Sequence, residues 1–312
     1  MPRPWSVEVT CWRTMAADTR EPPTQANAVE LPSVFVAADA SSRSQQRLYL
    51  WLRRVQLLML LVAAALGAVV VRTGRVEWGP LLAGLAFVVA GLMEATILTL
   101  QLERGWYGGR AVAESVKTLA WRYAVAGEPF AGAERGEDEV DALLVQRVKQ
   151  VLEFRDIGFL PATGPAKEIT GWMRALRAQP LADRKDSYQR DRVDDQRAWY
   201  ARRARWNHRQ SLWWSIIMLV IQSLGLGGAL LKGTGVIDFD ALGILAAAAA
   251  SVLAWHQIKQ HATLAQSYSL AAHELSTIAA LIDSVHSETD WGRFVNDAES
   301  AISLEARRPP PR

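Results

Sequence analysis

The side chain best placed to do chemistry is one carboxylate, Glu94, inside a run from Gly79 to Leu102 that carries no other charge. An ionisable group inside a bilayer-length apolar run costs several kcal/mol when unpaired, and by default it marks an ion or proton path. The bland alternative is that Glu94 pairs with a neighbouring arginine or lies near enough to the interface to stay wet. Gln101 follows seven residues later, two turns along the same face of an unbroken helix, and Gln222 sits inside a later apolar run. Either amide can line a path, although amides in such places more commonly tie helices together by hydrogen bonds.

Outside the apolar runs, two polar stretches have types and spacing worth weighing. Lys117, Trp121, Arg122 and Tyr123 combine phosphate-binding cations with rings on which bases stack. A basic, aromatic stretch close to a membrane is more often an interfacial anchor. The stripe Tyr188, Arg192, Gln196 and Arg203 lies within one broad helical face. It reads as a partner or nucleotide contact, or as an interhelical network against Glu114 or Glu274, and the network is favoured. Asp194 and Asp195 sit among arginines and read as intrahelical ion pairs. His256 and His261 read as ordinary helix residues.

No phosphate loop, nucleophile elbow or metal-binding histidine pair is present, so the chain does not read as an enzyme. The sequence calls for no cofactor and no metal. Cys11 is the lone cysteine, and a net charge of +3 argues against a nucleic-acid partner. No secretory signal is expected, because no apolar core begins before Val55.

The elements that must position these residues are four apolar segments in two closely spaced pairs. The first pair is Val55–Val71 and Gly79–Leu102; the second is Gln210–Leu231 and Ala241–Ile258. Runs of about 17–25 apolar residues match the hydrocarbon thickness of a bilayer. The expected fold is an all-α integral membrane protein with two transmembrane hairpins, four transmembrane helices in all. Long cytoplasmic helical extensions form a bundle beside them. Tyr49 and Trp51 stand where an interfacial aromatic belt belongs.

In order along the chain, residues 1–38 carry five prolines and no period, and are expected to be disordered. A first two-helix membrane unit covers 39–130. Its helix starts near Asp39 and continues beyond Leu102, past a weak point at Gly108–Gly109, until Gly127 and Pro129 end it. A cytoplasmic linker, 131–180, holds an amphipathic helix with Val140, Leu143, Leu144, Val148, Val151 and Leu152 on one face, then breakers at Pro161, Gly164 and Pro165. The second unit covers 181–290, and its last segment runs unbroken through Gln260 towards Ile282. Residues 291–312 are expected to be a mobile tail. Arg43, Arg47, Arg53 and Arg54 before the first hairpin, and Arg197, Arg202, Arg203, Arg205 and Arg209 before the second, place both termini in the cytoplasm.

The halves repeat one another weakly. Gln46-Arg47, Tyr49 and Arg53-Arg54 precede one hairpin; Gln196-Arg197, Tyr200 and Arg202-Arg203 precede the other. Glu114 and Glu274 follow the two hairpins. The stretch AESVKTLAWRYAVAGEPF, 113–130, and the stretch RKDSYQRDRVDDQRAWYARRARWN, 184–207, resemble the SMODS- and SLOG-associating two-transmembrane effector domains, SLATT, in two tandem copies. The resemblance assigns family-motif or coupling roles to Glu114, Lys117, Trp121, Arg122, Tyr123, Tyr188, Arg192, Gln196, Trp199, Tyr200 and Glu274. It implies a membrane effector of a bacterial conflict system in the inner membrane. Such an effector would homo-oligomerise and permeabilise the lipid bilayer when a nucleotide-sensing or nucleotide-synthesising partner protein signals. A non-conducting scaffold that recruits partners is the alternative, and flux separates the two.

Overall fold

The structure, a computed structural model, describes residues 29–69, 72–73, 75–132, 135–153, 167–237 and 241–307. The expected disorder of 1–28, the breakers at 161–165 and the tail beyond 307 lie outside those residues. Helix α1 (Ser33–Gly67) begins directly after Pro32, not at Asp39. Its first turns are held because Val34 and Phe35 pack on the core, with Ala37 and Ala38 buried. The Ser33 hydroxyl donates to Glu168 Oε1 at 2.6 Å. A two-residue ribbon, β1 (Arg72–Thr73) with β2 (Val76–Glu77), closes the first hairpin onto α2 (Trp78–Leu100).

The helix does not continue past Leu100 as expected. Gln101 takes a left-handed conformation, φ 46° and ψ 39°, and α3 (Leu102–Ala124) starts afresh beyond it. The same break recurs between α8 (Ala241–Lys259) and α9 (His261–Ile282), where Gln260 has φ 46° and ψ 40°. Left-handed geometry is uncommon for a residue with a Cβ, so its repetition at matching points is a shared architectural feature. Its effect is to let each following helix lie along the helix that leads into its own hairpin. There it buries a face that a straight continuation would leave in water.

Helix α3 packs along α1, with the Ser42 hydroxyl donating to the Trp106 carbonyl at 3.1 Å. Gly109 is no weak point, since α3 runs through it. A Cβ there would stand 3.2 Å from both Ala38 O and Ser42 Cβ, so its absence permits the close approach. Helix α4 (Glu137–Glu153) buries Val140, Leu144 and Val148, the predicted face. The short α5 (Gly171–Arg177) is capped by Thr170, whose hydroxyl accepts from Met173 N. Helix α6 (Leu181–Tyr188) passes through a π-helical stretch, Gln189–Asp194, into α7 (Asp195–Gly233). Together they make a 53-residue rod, about 80 Å long at 1.5 Å per residue.

Residues 288–307 form a helix, α10 (Glu288–Arg307), where a mobile tail was expected. Trp291, Val295, Ala298 and Ile302 recur at helical spacing and are all buried. The main extramembrane core is centred on α3, which is buried on nearly every side by α1, α4, α5 and α10.

Four helices are long and apolar enough to cross a membrane, and they pack in a row: α2 on α1, α1 on α8, α8 on α7. Arg54 lies over the Trp255 ring at 5.1 Å and links the hairpins. Their outer faces are apolar and bare, with Leu85, Phe87, Leu98, Leu219 and Leu226 all more than 60% exposed. A contiguous belt of that kind is stable only in hydrocarbon or against another apolar surface. Trp51 is exposed as a belt residue would be, but Tyr49 is buried against Leu52, Ile97 and Leu102.

Candidate functional site

In the first hairpin, Glu94 is not alone. It forms an ion pair with Arg53 of α1 and accepts from Gln56 Nε2 at 2.8 Å, while Arg53 Nη1 also donates to Gln56 Oε1 at 2.9 Å. The arginine pairing is the alternative weighed for Glu94 from the sequence; Gln56, three residues from Arg53 on one face at the start of the first span, was not singled out. Gln101 does not extend the face of Glu94, because the helix has already ended. Its exposed amide lies 3.4 Å from Arg104. Gln222 is exposed on α7, within the apolar span, and makes no hydrogen bond among the described residues.

A second polar cluster lies in the extramembrane bundle. The π-helical stretch turns Arg192 and Val193 inward together. Arg192 donates to both carboxylate oxygens of Glu299, Nε at 2.8 Å and Nη2 at 2.7 Å, and both side chains are at most 1% exposed. The Tyr188 hydroxyl donates to the same carboxylate at 3.1 Å. Arg192 Nη1 reaches Gln196 Oε1 at 2.7 Å, and Gln196 in turn lies 3.4 Å from the Tyr200 hydroxyl. Tyr188, Arg192 and Gln196 of the stripe are therefore an interhelical network, as favoured, with Glu299 of α10 as the carboxylate that Arg192 binds, while Arg203 lies over the Trp199 and Trp206 rings at 5.5 and 5.7 Å. Helical periodicity over 288–307 was the signal that would have found Glu299. Glu274 is half-buried on α9, next to the core residue Leu275.

Glu114 is buried beside Arg110, 3.1 Å away. Burial alone would raise its carboxyl, but Arg110, Lys117 and Arg192 outweigh it and hold the pKa below the ordinary value. For Lys117, burial dominates and lowers the ammonium despite Glu114. Burial, with Glu114 behind it, pushes the Tyr200 hydroxyl up to about 12. Burial also raises Tyr188 well above its usual range, with Glu299 adding to it.

Trp121 and Tyr123 neither stack a ligand base nor anchor at an interface. Trp121 is 1% exposed, edge-on to Trp172 at 4.9 Å and to Tyr188 at 6.0 Å. The Tyr123 hydroxyl donates to Asp141. Arg122 ties α3 to α10 through Asn296 O at 2.9 Å and Ser300 Oγ at 2.8 Å. Trp199 meets Tyr200 and Tyr268 edge-on, joining α7 to α9. Trp291 completes the strap, its indole donating to Val125 O at 2.8 Å. Gly127 lets α10 seat, because a Cβ there would fall 2.5 Å from Val295 Cγ1. His261 Nδ1 and Asn207 Oδ1 are 2.8 Å apart in a buried contact between α9 and α7.

Two membrane hairpins beneath a helical bundle tied by buried ion pairs define a multi-pass helical membrane protein. The described residues hold no group of histidine, cysteine and acidic side chains that could bind a metal. The profile of SMODS and SLOG-associating 2TM effector domain 3 matches residues 32–185, and that of domain 1 matches residues 188–308. The chain belongs to this effector family and carries two of its domains in tandem; it is not a known enzyme family. Comparison with curated proteins and with solved structures gives no significant match.

Proposed function

We propose that this protein is a membrane effector of a bacterial conflict system, of the anti-phage kind. It sits in the inner membrane with both termini in the cytoplasm, oligomerises, and permeabilises the bilayer when a cytosolic nucleotide or partner protein signals. The observation that carries this reading is the uninterrupted rod from Leu181 to Gly233. Its cytoplasmic half is bolted to α10 through Arg192 and Glu299, and its other half is a bilayer span. A cue that shifts α10 relative to the rod has a rigid path into the second hairpin, and the Arg54–Trp255 contact passes it to the first.

Lipid satisfies the apolar outer faces of α2 and α7, but the exposed Gln222 amide gains a partner only when a second copy covers α7, and that favours assembly. Gln101, Glu94 and Gln222 remain the residues proposed to line or gate a path. The test is membrane potential and dye entry in bacteria expressing the chain, alone and with a nucleotide-signalling partner under phage challenge. Depolarisation supports the effector. Silence under every trigger, with the protein present in the membrane, leaves the scaffold reading.

A further inference from the structure

At the far end of the bundle, a cleft of about 970 Å³ opens between the end of α3, helices α4 to α6 and the start of α10. Among the described residues five arginines line it, Arg122, Arg135, Arg147, Arg177 and Arg184, against two carboxylates, Glu128 and Glu288. We propose that this cleft binds a soluble small-molecule anion carrying two or more phosphates. Arg177 is held by carbonyls, donating to Tyr123 O at 3.0 Å and Phe130 O at 2.8 Å. Arg184 donates likewise to Gln179 O at 3.0 Å and Val125 O at 2.9 Å, and pairs with Glu288. Carbonyls fix a guanidinium plane without neutralising it, so the Arg177 charge faces the cleft already oriented, while Glu288 balances that of Arg184. Planar, pre-oriented guanidinium groups match phosphate oxygens two at a time.

Arg135, in the loop before α4, and Arg147 of α4 reach the rim and are exposed. Arg135 contacts Pro129 O at 2.8 Å and Glu139 only at 3.9 Å. Burial pulls the Arg177 pKa below its ordinary value, and Arg184 adds like-charge repulsion; a bound anion relieves both. Among the described residues the lining carries guanidinium groups and no aromatic ring, so the chemistry they offer is that of phosphate. A volume of this size suits a small molecule. Arg122 stands twenty residues along α3 from Leu102, about 30 Å from the span, so a lipid headgroup does not reach it. Because the cleft joins the end of α3 to α10, an anion there strengthens the strap that holds the Arg192–Glu299 bolt. That consequence rests on the effector reading; the binding does not.

The experiment is calorimetric titration of inorganic triphosphate into the full chain in nanodiscs of neutral lipid. The comparison is the doubly charge-reversed Arg135→Glu/Arg147→Glu variant, whose changes fall on exposed positions. We expect saturable binding at one per chain, weakened about tenfold or more in the variant, with an unchanged melting temperature. A second arm uses nanodiscs containing a phosphoinositide without added triphosphate. No saturable binding, or equal affinity in the variant, overturns the site; binding to the phosphoinositide alone overturns the soluble source. Triphosphate that binds without altering dye flux in liposomes counts against the effector and leaves the site standing. Flux without binding does the reverse.

Discussion

Arg53–Glu94 and Arg192–Glu299 are the same chemical pair in two settings, and the difference separates a joint that can open from one that cannot. The first lies at the start of the spans with side chains 21% and 35% exposed, and its carboxylate has an amide as second partner. The second is sealed, at 1% and 0%, with a tyrosine and both carboxylate oxygens engaged. Separating a sealed pair leaves an uncompensated charge in low dielectric, whereas Arg53 and Glu94 each keep Gln56 as a second partner when they part. A triggered protein needs both kinds of joint. In the effector proposed above, the sealed pair is the joint that keeps α10 attached to the rod, and the Arg53–Glu94 pair is the joint free to rearrange.

The sharpest way to break this contrast is Arg192→Ala. It should cost about 3–5 kcal/mol of stability by stranding Glu299, read as a lower melting temperature and a lower yield in detergent. The double variant Arg192→Met/Glu299→Leu should recover most of that loss. Failure to recover would mean the pair acts through something other than its buried charge. Trp291→Ala removes the indole beside Tyr188 and its bond to Val125 O, and should cost about 3 kcal/mol. Limited proteolysis should then release α10 before any other helix. Cleavage elsewhere first would mean that α10 is not held by this strap. Glu94→Leu should be milder, about 1 kcal/mol, because Arg53 keeps Gln56 as a partner. Its larger effect should be on flux after triggering, and unchanged flux at equal expression would remove Glu94 from the path.

The hairpins were legible in the sequence because lipid imposes a length and an apolar composition that no soluble element matches. The left-handed breaks at Gln101 and Gln260 were not. Nothing about glutamine favours that conformation, and what selects it is the tertiary gain of folding α3 onto α1 and α9 onto α7. Gly108–Gly109 misled for a related reason: a glycine pair in a helix signals either a break or a close approach, and only the neighbour, Ser42, decides. The network face from Tyr188 to Tyr200 was readable as helical spacing. Its carboxylate was not, because the short period of Trp291, Val295, Ala298 and Ile302 runs straight into the helix-breaking prolines at 309–311. The arginine cleft had no linear signature, since its residues come from five separate helices and the loop that follows α3.

The smallest predicted effect concerns acid, and it falls on Glu114 rather than on either pair. Its folded pKa lies below the ordinary value, because Arg110, Lys117 and Arg192 together outweigh burial. A depressed carboxyl contributes stability that is present above the unfolded value and lost as pH falls through the folded one. Wild type should therefore lose more melting temperature than Glu114→Gln as pH drops from about 5 downward, after any constant offset between them is removed. Lys117 works in the opposite sense: burial lowers its pKa, so its charge is a cost that eases only as pH rises towards its unfolded value. Parallel melting curves would mean that Arg110 and its neighbours do not hold the Glu114 carboxylate, and that the polar interior of the bundle rests on Glu299 alone.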